Sequence, residues 1–167
     1  IDKDGNVNLS PFSFFNMFST NPPVVIFSPS RRVRDNTTKH TLENVHEVAE
    51  VVIGIVNYNI VQQISLASTE YEKGVNEFVK SGLTMKEADL VKPQLIEECP
   101  VNLECKVLEI KALGSEGGAG NLVICEIIKI HVREEYLNEE GNLDQKKLDL
   151  VARLGGNWYS RNNENNL

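Results

Sequence analysis

Two long alternating runs on either side of a glycine-rich turn constrain this chain more than any other feature. Val101, Leu103, Cys105 and Val107 alternate with polar residues, and Leu108, Ile110 and Ala112 continue on the opposite parity. A change of parity inside one strand calls for an extra residue, so a β-bulge is predicted near Val107. Leu122–Val132 forms a second long strand, and Gly114-Ser115-Glu116-Gly117-Gly118-Ala119-Gly120 reads as a mobile hairpin tip between the two. The tip is not a dinucleotide fingerprint: it lacks the G-x-G-x-x-G spacing, and a strand rather than a helix follows it.

Shorter signals surround this hairpin. Val24–Phe27 follows Pro22-Pro23 and reads as a short buried strand, since proline is tolerated at a strand start. Glu50–Val56 is a nearly continuous β-branched run, expected to be a strand covered on both faces. Asp4-Gly5-Asn6 marks a turn, with Val7–Leu9 as a return strand after it. Leu42, Val45 and Val48 are spaced for one helical face, with Thr38 or Thr41 as N-cap. Ile60–Ala67 and Val75–Val79 read as short helices, with Gly82 at the second helix's C-terminus and a turn at Gly141-Asn142. Strands joined by hairpins and short helices, without βαβ alternation, point to a mainly β barrel or sandwich.

A length of 167 residues, 41% of them hydrophobic and 25% charged, suits one domain spanning residues 1–167 with a sizeable core, ending in a disordered tail over 160–167. No apolar run approaches the roughly 18 residues needed to cross a bilayer. The net charge of −7 argues against nucleic acid as a partner. Cys99, Cys105 and Cys125 are odd in number and form no C-x-x-C pair, which disfavours a disulfide scaffold and indicates a reducing, cytoplasmic setting. His40 and His46 lack partners at metal-ligand spacing, so no metal site is expected.

Two segments stand out chemically. Arg31, Arg32, Arg34 and Lys39 cluster with one acid, Asp35, in an otherwise acidic chain. Local field governs anion affinity, and Thr37, Thr38 and Thr41 add hydroxyls beside a helix start, so this island is a candidate phosphate cradle. A solvated loop whose arginines meet surface carboxylates explains it equally. Ser10-Pro11-Phe12-Ser13-Phe14-Phe15-Asn16 combines aromatic area with polar donors, which suits a flat aromatic ligand with a polar edge. A core-packing loop explains that segment too. His131, near the end of its strand, is the one titratable candidate for a catalytic role, although a lone strand histidine is also a common structural residue.

These same residues carry a resemblance. N-L-S-P-F-S-F-F-N-M-F-S-T-N-P-P-V-V-I-F-S-P resembles the opening signature of the flavin reductase-like, FMN-binding split-barrel family. R-D-N-T-T-K-H-T-L-E-N-V, I-V-N-Y-N-I-V-Q-Q-I-S, L-E-C-K-V and R-L-G-G-N-W-Y are similar to later segments of the same family, in the same order. The likeness runs from Asp2 to about Tyr159.

The resemblance implies a Greek-key split β-barrel binding FMN, or sometimes FAD, near a homodimer interface. It also implies hydride transfer from NADH or NADPH to flavin, with a flavin-accepting monooxygenase as a possible partner. Carried over to matching positions, Ser10, Pro11, Phe12, Ser13, Phe14 and Asn16 would line the isoalloxazine ring. Ser28, Lys39 and Thr41 would hold the ribityl chain and phosphate, with Arg34 as a further candidate and Thr38 beside them. Gln62, Gln63 and Ser65 would approach the phosphate, and His131 and Tyr159 would fall near the flavin. The sequence begins Ile1-Asp2-Lys3 without an initiator Met, and similar proteins carry a further strand before this point; its absence would leave an unpaired sheet edge. An FMN-binding electron carrier without nicotinamide turnover, and a non-catalytic dimer, remain alternatives to the reductase.

Overall fold

The long hairpin is the centre of the molecule. The computed structural model describes residues 1–162, in which nine strands and four short α-helices occur in the order β1 (Phe15–Thr20), β2 (Pro23–Phe27), α1 (His40–Glu47), β3 (Glu50–Ile55), α2 (Val61–Ala67), α3 (Glu77–Ser81), β4 (Met85–Lys86), β5 (Leu95–Ile96), β6 (Val101–Ala112), β7 (Asn121–Val132), α4 (Gln145–Leu148), β8 (Leu150–Gly155) and β9 (Trp158–Asn162). Five strands form one antiparallel sheet in the order β1-β2-β7-β6-β3. The chain therefore leaves β2, crosses two positions still to be filled, and lays β3 on the far side of β6. Two smaller hairpins, β4-β5 and β8-β9, stand apart from this sheet.

The parity change has the expected cause. The β6-β7 register shifts between Val107 and Glu109, where the bulge was predicted, and again between Glu104 and Cys105. Val101, Leu103 and Cys105 face the main core with Val25, Phe27, Val123, Cys125 and Ile127, and α1 closes it with Leu42 and Val45. The alternate residues of β6 behave differently from a solvent-facing set. Asn102 and Glu104 are also buried, because the segment around β4 and β5 folds over them. Asn102 accepts from the Ile96 N–H and donates to the Ile96 carbonyl, both at 3.0 Å. The Glu104 carboxylate accepts the backbone N–H groups of Asp89, Leu90 and Val91, and His131 Nε2 meets its Oε1.

Several expectations need correcting. Val7–Leu9 is not a strand: the Asp2 carboxylate closes the Asp4–Asn6 turn, and the extended segment after it is held by side chains. Asn8 donates to Thr41 Oγ1, and the Leu9 N–H donates to Glu77. The N-cap of α1 is Lys39, without a side-chain bond; Thr38 instead donates to Glu43, and Thr41 lies inside the helix. α3 begins two residues later than expected because Asn76 caps it through Phe78 and Val79, and it ends at left-handed Gly82 as anticipated. Only Val51 in β3 is fully buried, since one edge of that strand opens onto a cavity. The segment read as a ligand loop runs directly into β1, and the β8-β9 hairpin was not foreseen. β9 extends through Asn162, so the disordered tail does not begin at 160; residues 163–167 lie outside the described region. All three cysteines are free and buried, and burial pushes each thiol up to about 12.

Burial pushes the Glu104 carboxyl up, but His131 and the three backbone donors outweigh it and hold the group below the ordinary carboxylate value. A depressed folded pKa contributes stability that is present above the unfolded value of about 4.3 and is lost as pH falls through the folded value. Glu104→Gln should therefore cost about 2–4 kcal/mol near neutral pH, because it removes one partner of a buried charged network. Urea unfolding between pH 6 and pH 3 should show a shallower acid loss in the variant than in the wild type. Equal slopes would mean that Glu104 does not carry this term.

Candidate functional site

The Ser10–Phe14 segment is fixed at both ends. Leu9 is tied to Glu77, and the Phe14 carbonyl accepts the Ser28 N–H at 2.9 Å as β1 joins β2. Between these anchors the aromatics divide. Phe12 packs on Phe27 with ring centroids 5.4 Å apart, and Phe15 also joins the core, whereas Phe14 is 66% exposed. The core-packing reading thus holds for Phe12 and Phe15 but not for Phe14. Among the described residues, no hydrogen bond engages the backbone N–H groups of Ser10, Phe12, Ser13 or Phe14. Four open donors along one short anchored segment form a ready surface for a ligand with carbonyl or imine acceptors.

That segment borders a cavity of about 580 Å³, within the range of small-molecule sites. Consecutive residues Glu50–Val56 and Leu150–Arg153 line it, so it runs along an edge of β3 and of β8 rather than across a sheet face. Of the candidate residues, the cavity gathers Ser10, Pro11, Phe12, Ser13, Thr41 and Tyr159. Phe14, Asn16, Ser28, Arg34, Thr38, Lys39, Gln62, Gln63, Ser65 and His131 are not part of its wall. α2 turns Ile64 inward and leaves Gln62 and Ser65 exposed. His131 sits beside Glu104, as part of the network described above. Asn44, Glu50 and Arg153 are polar wall residues that were not among the candidate site residues.

The basic island is largely committed to its own architecture. Arg31 donates to Asn36 Oδ1 and to the Asn36 carbonyl, and Asn36 adopts a left-handed φ of 58°. Arg32 donates to Thr37 Oγ1 and the Thr38 carbonyl and contacts the Glu70 carboxylate. Arg34 pairs with Asp35 at 3.1 Å and Glu70 at 3.3 Å. Hydrogen bonds from Thr37 and Arg34 hold the Asp35 carboxyl down to about 2. Lys39 differs: its half-buried ammonium has no partner among the described residues. Sequence composition could not separate these roles, because Glu70 lies far from the loop in the chain.

One further cluster joins Asp89, Glu104 and His131, whose ligand-type atoms lie within 4.8 Å of one another. Its groups are already engaged by backbone N–H donors and by Lys129, so it reads as a structural network.

Comparison with known proteins settles the lineage. Residues 2–149 match the model of the flavin reductase like domain. The chain belongs to that family. An uncharacterized protein of Aquifex aeolicus is 35% identical over 159 residues, covering 95% of this chain and 79% of its own length. Nitrilotriacetate monooxygenase component B from Bacillus cereus superposes with a TM-score of 0.89 at 26% identity, covering 98% of this chain and 81% of that one. A Shewanella frigidimarina protein described as a flavin reductase with a split barrel domain gives 0.83 at 28% identity, over 98% and 78% of the two chains. The fold is accordingly the flavin reductase-like split barrel, mainly β with short helices. Among the described residues, no helix of this flavin reductase-like domain is long and apolar enough to cross a membrane.

The division of labour in the basic loop can be measured directly. Arg32→Ala removes bonds to Thr37, Thr38 and Glu70 and should destabilise the fold by about 1–2 kcal/mol, after discounting the half-exposed Glu70 contact for screening. Lys39→Ala breaks no side-chain bond among the described residues and should stay within about 0.5 kcal/mol of wild type in chemical denaturation.

Proposed function

We propose that this protein binds FMN and works as a flavin oxidoreductase that accepts hydride from NADH or NADPH. The carrying observation is the pairing of two open features: the unpartnered N–H groups of Ser10–Phe14 and the unpartnered ammonium of Lys39. Both segments adjoin the same open end of the β1-β2 hairpin, where the Ser28 N–H meets the Phe14 carbonyl and Asn8 meets Thr41, so one ligand with an acceptor-rich flat ring and a phosphate would satisfy both. Family membership supports a flavin.

The residues present fit that group. The Ser10, Phe12, Ser13 and Phe14 N–H groups would face the ring's acceptor edge, and Phe14 and Tyr159 supply aromatic surface beside it. Lys39 would neutralise the phosphate with the Ser28 hydroxyl beside it, and the Thr41 hydroxyl is available for the ribityl chain. When bound, FMN supplies the hydride-accepting ring. The protein's part is to hold the ring in place, to keep one face open to the nicotinamide, and to favour the negative charge of the reduced ring through the backbone donors. No side-chain acid or base is required for hydride transfer, which agrees with His131 being engaged by Glu104.

Exposed Phe14, Met17, Phe18, Leu154 and Trp158 form apolar surface that suits a homodimer contact, and handing reduced flavin to a separate monooxygenase component in the cytoplasm is consistent with the same site.

FMN titration followed by quenching of flavin fluorescence should saturate at one FMN per chain. Lys39→Ala should weaken binding by about 1.5–3 kcal/mol, the loss of one charge-assisted bond. Steady-state oxidation of NADH or NADPH with added FMN then separates a reductase, which turns over, from an electron carrier, which does not. Protein that stays colourless and leaves FMN fluorescence unchanged refutes the proposal.

A further inference from the structure

The loop that carries Arg31–Lys39 is held from outside as well as by its own bonds. Its outer side rests on the turn between β6 and β7, with close approaches at two glycines. The Arg31 N–H donates to the Ala119 carbonyl at 2.8 Å, and the Gly118 N–H returns a bond to the Arg31 carbonyl at 3.0 Å. Asn121 adds a side-chain bond to the Pro29 carbonyl at 3.0 Å. A Cβ on Gly117 would lie 3.1 Å from both Val33 Cα and the Val33 carbonyl oxygen, and 3.2 Å from the Arg32 carbonyl oxygen. These are backbone atoms and cannot rotate away. A Cβ on Gly120 would lie 2.7 Å from Ser28 Oγ. Neither glycine has a left-handed φ, so the requirement is for space and not for an unusual backbone conformation.

We infer that Gly117 and Gly120 are positioning residues for the phosphate end of the cofactor site. Gly117 sets the height of the arginine loop, and Gly120 leaves the space that the Ser28 hydroxyl occupies. The glycine-rich turn is therefore a template pressed against the loop. Its bonds to Arg31 also pin a segment that the sequence alone reads as mobile. This inference rests on reading the loop as the phosphate side of an FMN site.

Riboflavin carries the same ring and ribityl chain without the phosphate, so the ratio of riboflavin to FMN dissociation constants isolates the phosphate end. Wild type should prefer FMN. Gly120→Ala should reduce that preference by about tenfold while changing riboflavin affinity less than about twofold. In a Ser28→Ala background, which removes the atom the new methyl meets, Gly120→Ala should add less than about a twofold effect. Gly117→Ala should reduce the preference independently of Ser28, and thermal unfolding of each variant confirms that the comparison is made on folded protein. If wild type prefers FMN and both glycine variants keep that preference, or if both ligands weaken equally, the positioning role is wrong while the FMN reading stands. If wild type binds the two ligands equally, the phosphate reading itself fails and takes this inference with it.

Discussion

The twelve-residue pairing of β6 with β7 is the constraint on which the other parts of the molecule depend. Its two register shifts bend the strands so that one face of the hairpin closes over the core while its ends serve different tasks. At the glycine-rich end, the turn supports the arginine loop. At the other end, Asn102 and Glu104 of β6 and His131 of β7 hold the segment around β5 against the outer face of the sheet. Ile96, carried by that segment, then reaches the wall of the cavity. A slip of one residue in this ladder would turn Glu104 into the core and withdraw its carboxylate from the three N–H groups of residues 89–91.

The features visible in the sequence share a physical basis: they are local. The bulge near Val107, the strands at Val24 and Glu50, and the left-handed cap at Gly82 each follow from a few neighbouring residues. The features that were not visible depend on distant chain. Alternation around Asn102 and Glu104 reads as one wet face, and only the returning segment makes that face dry. The β8-β9 hairpin was missed because its mostly exposed strands lack polar–apolar alternation, although Gly155-Gly156 is an ordinary hairpin-turn signal. Val7–Leu9 has strand-like alternation but gives its hydrogen bonds to Glu77 and a neighbouring side chain.

Within each candidate segment, the sequence reading assigned too uniform a role. Four basic residues close together suggest one cradle for an anion. In the structure three guanidiniums spend their donors on Asn36, Thr37, Thr38, Asp35 and Glu70, and the lysine alone keeps an open charge. The difference follows from side-chain chemistry. A planar guanidinium with five donors can staple several carbonyls and carboxylates at once, whereas an ammonium is a compact point charge on a flexible stem. In the aromatic segment, Phe12 and Phe15 anchor the backbone in the core, and it is their burial that fixes the N–H groups between them.

Open donors on a half-exposed segment cost little while water can reach them, because solvent satisfies each N–H. The same donors become expensive once an apolar ring covers them without offering acceptors in return. Ser10–Phe14 therefore discriminates by chemistry as well as by shape: an aromatic ligand with a bare hydrocarbon edge would strand four N–H groups, whereas one with a row of ring acceptors would replace the lost water. On the proposed reading, a nicotinamide stacking on the far face of such a ring would make no demand on those donors. Binding of the first ring and access of the second would then fall to separate parts of the protein, with positioning at both and no titrating residue between them.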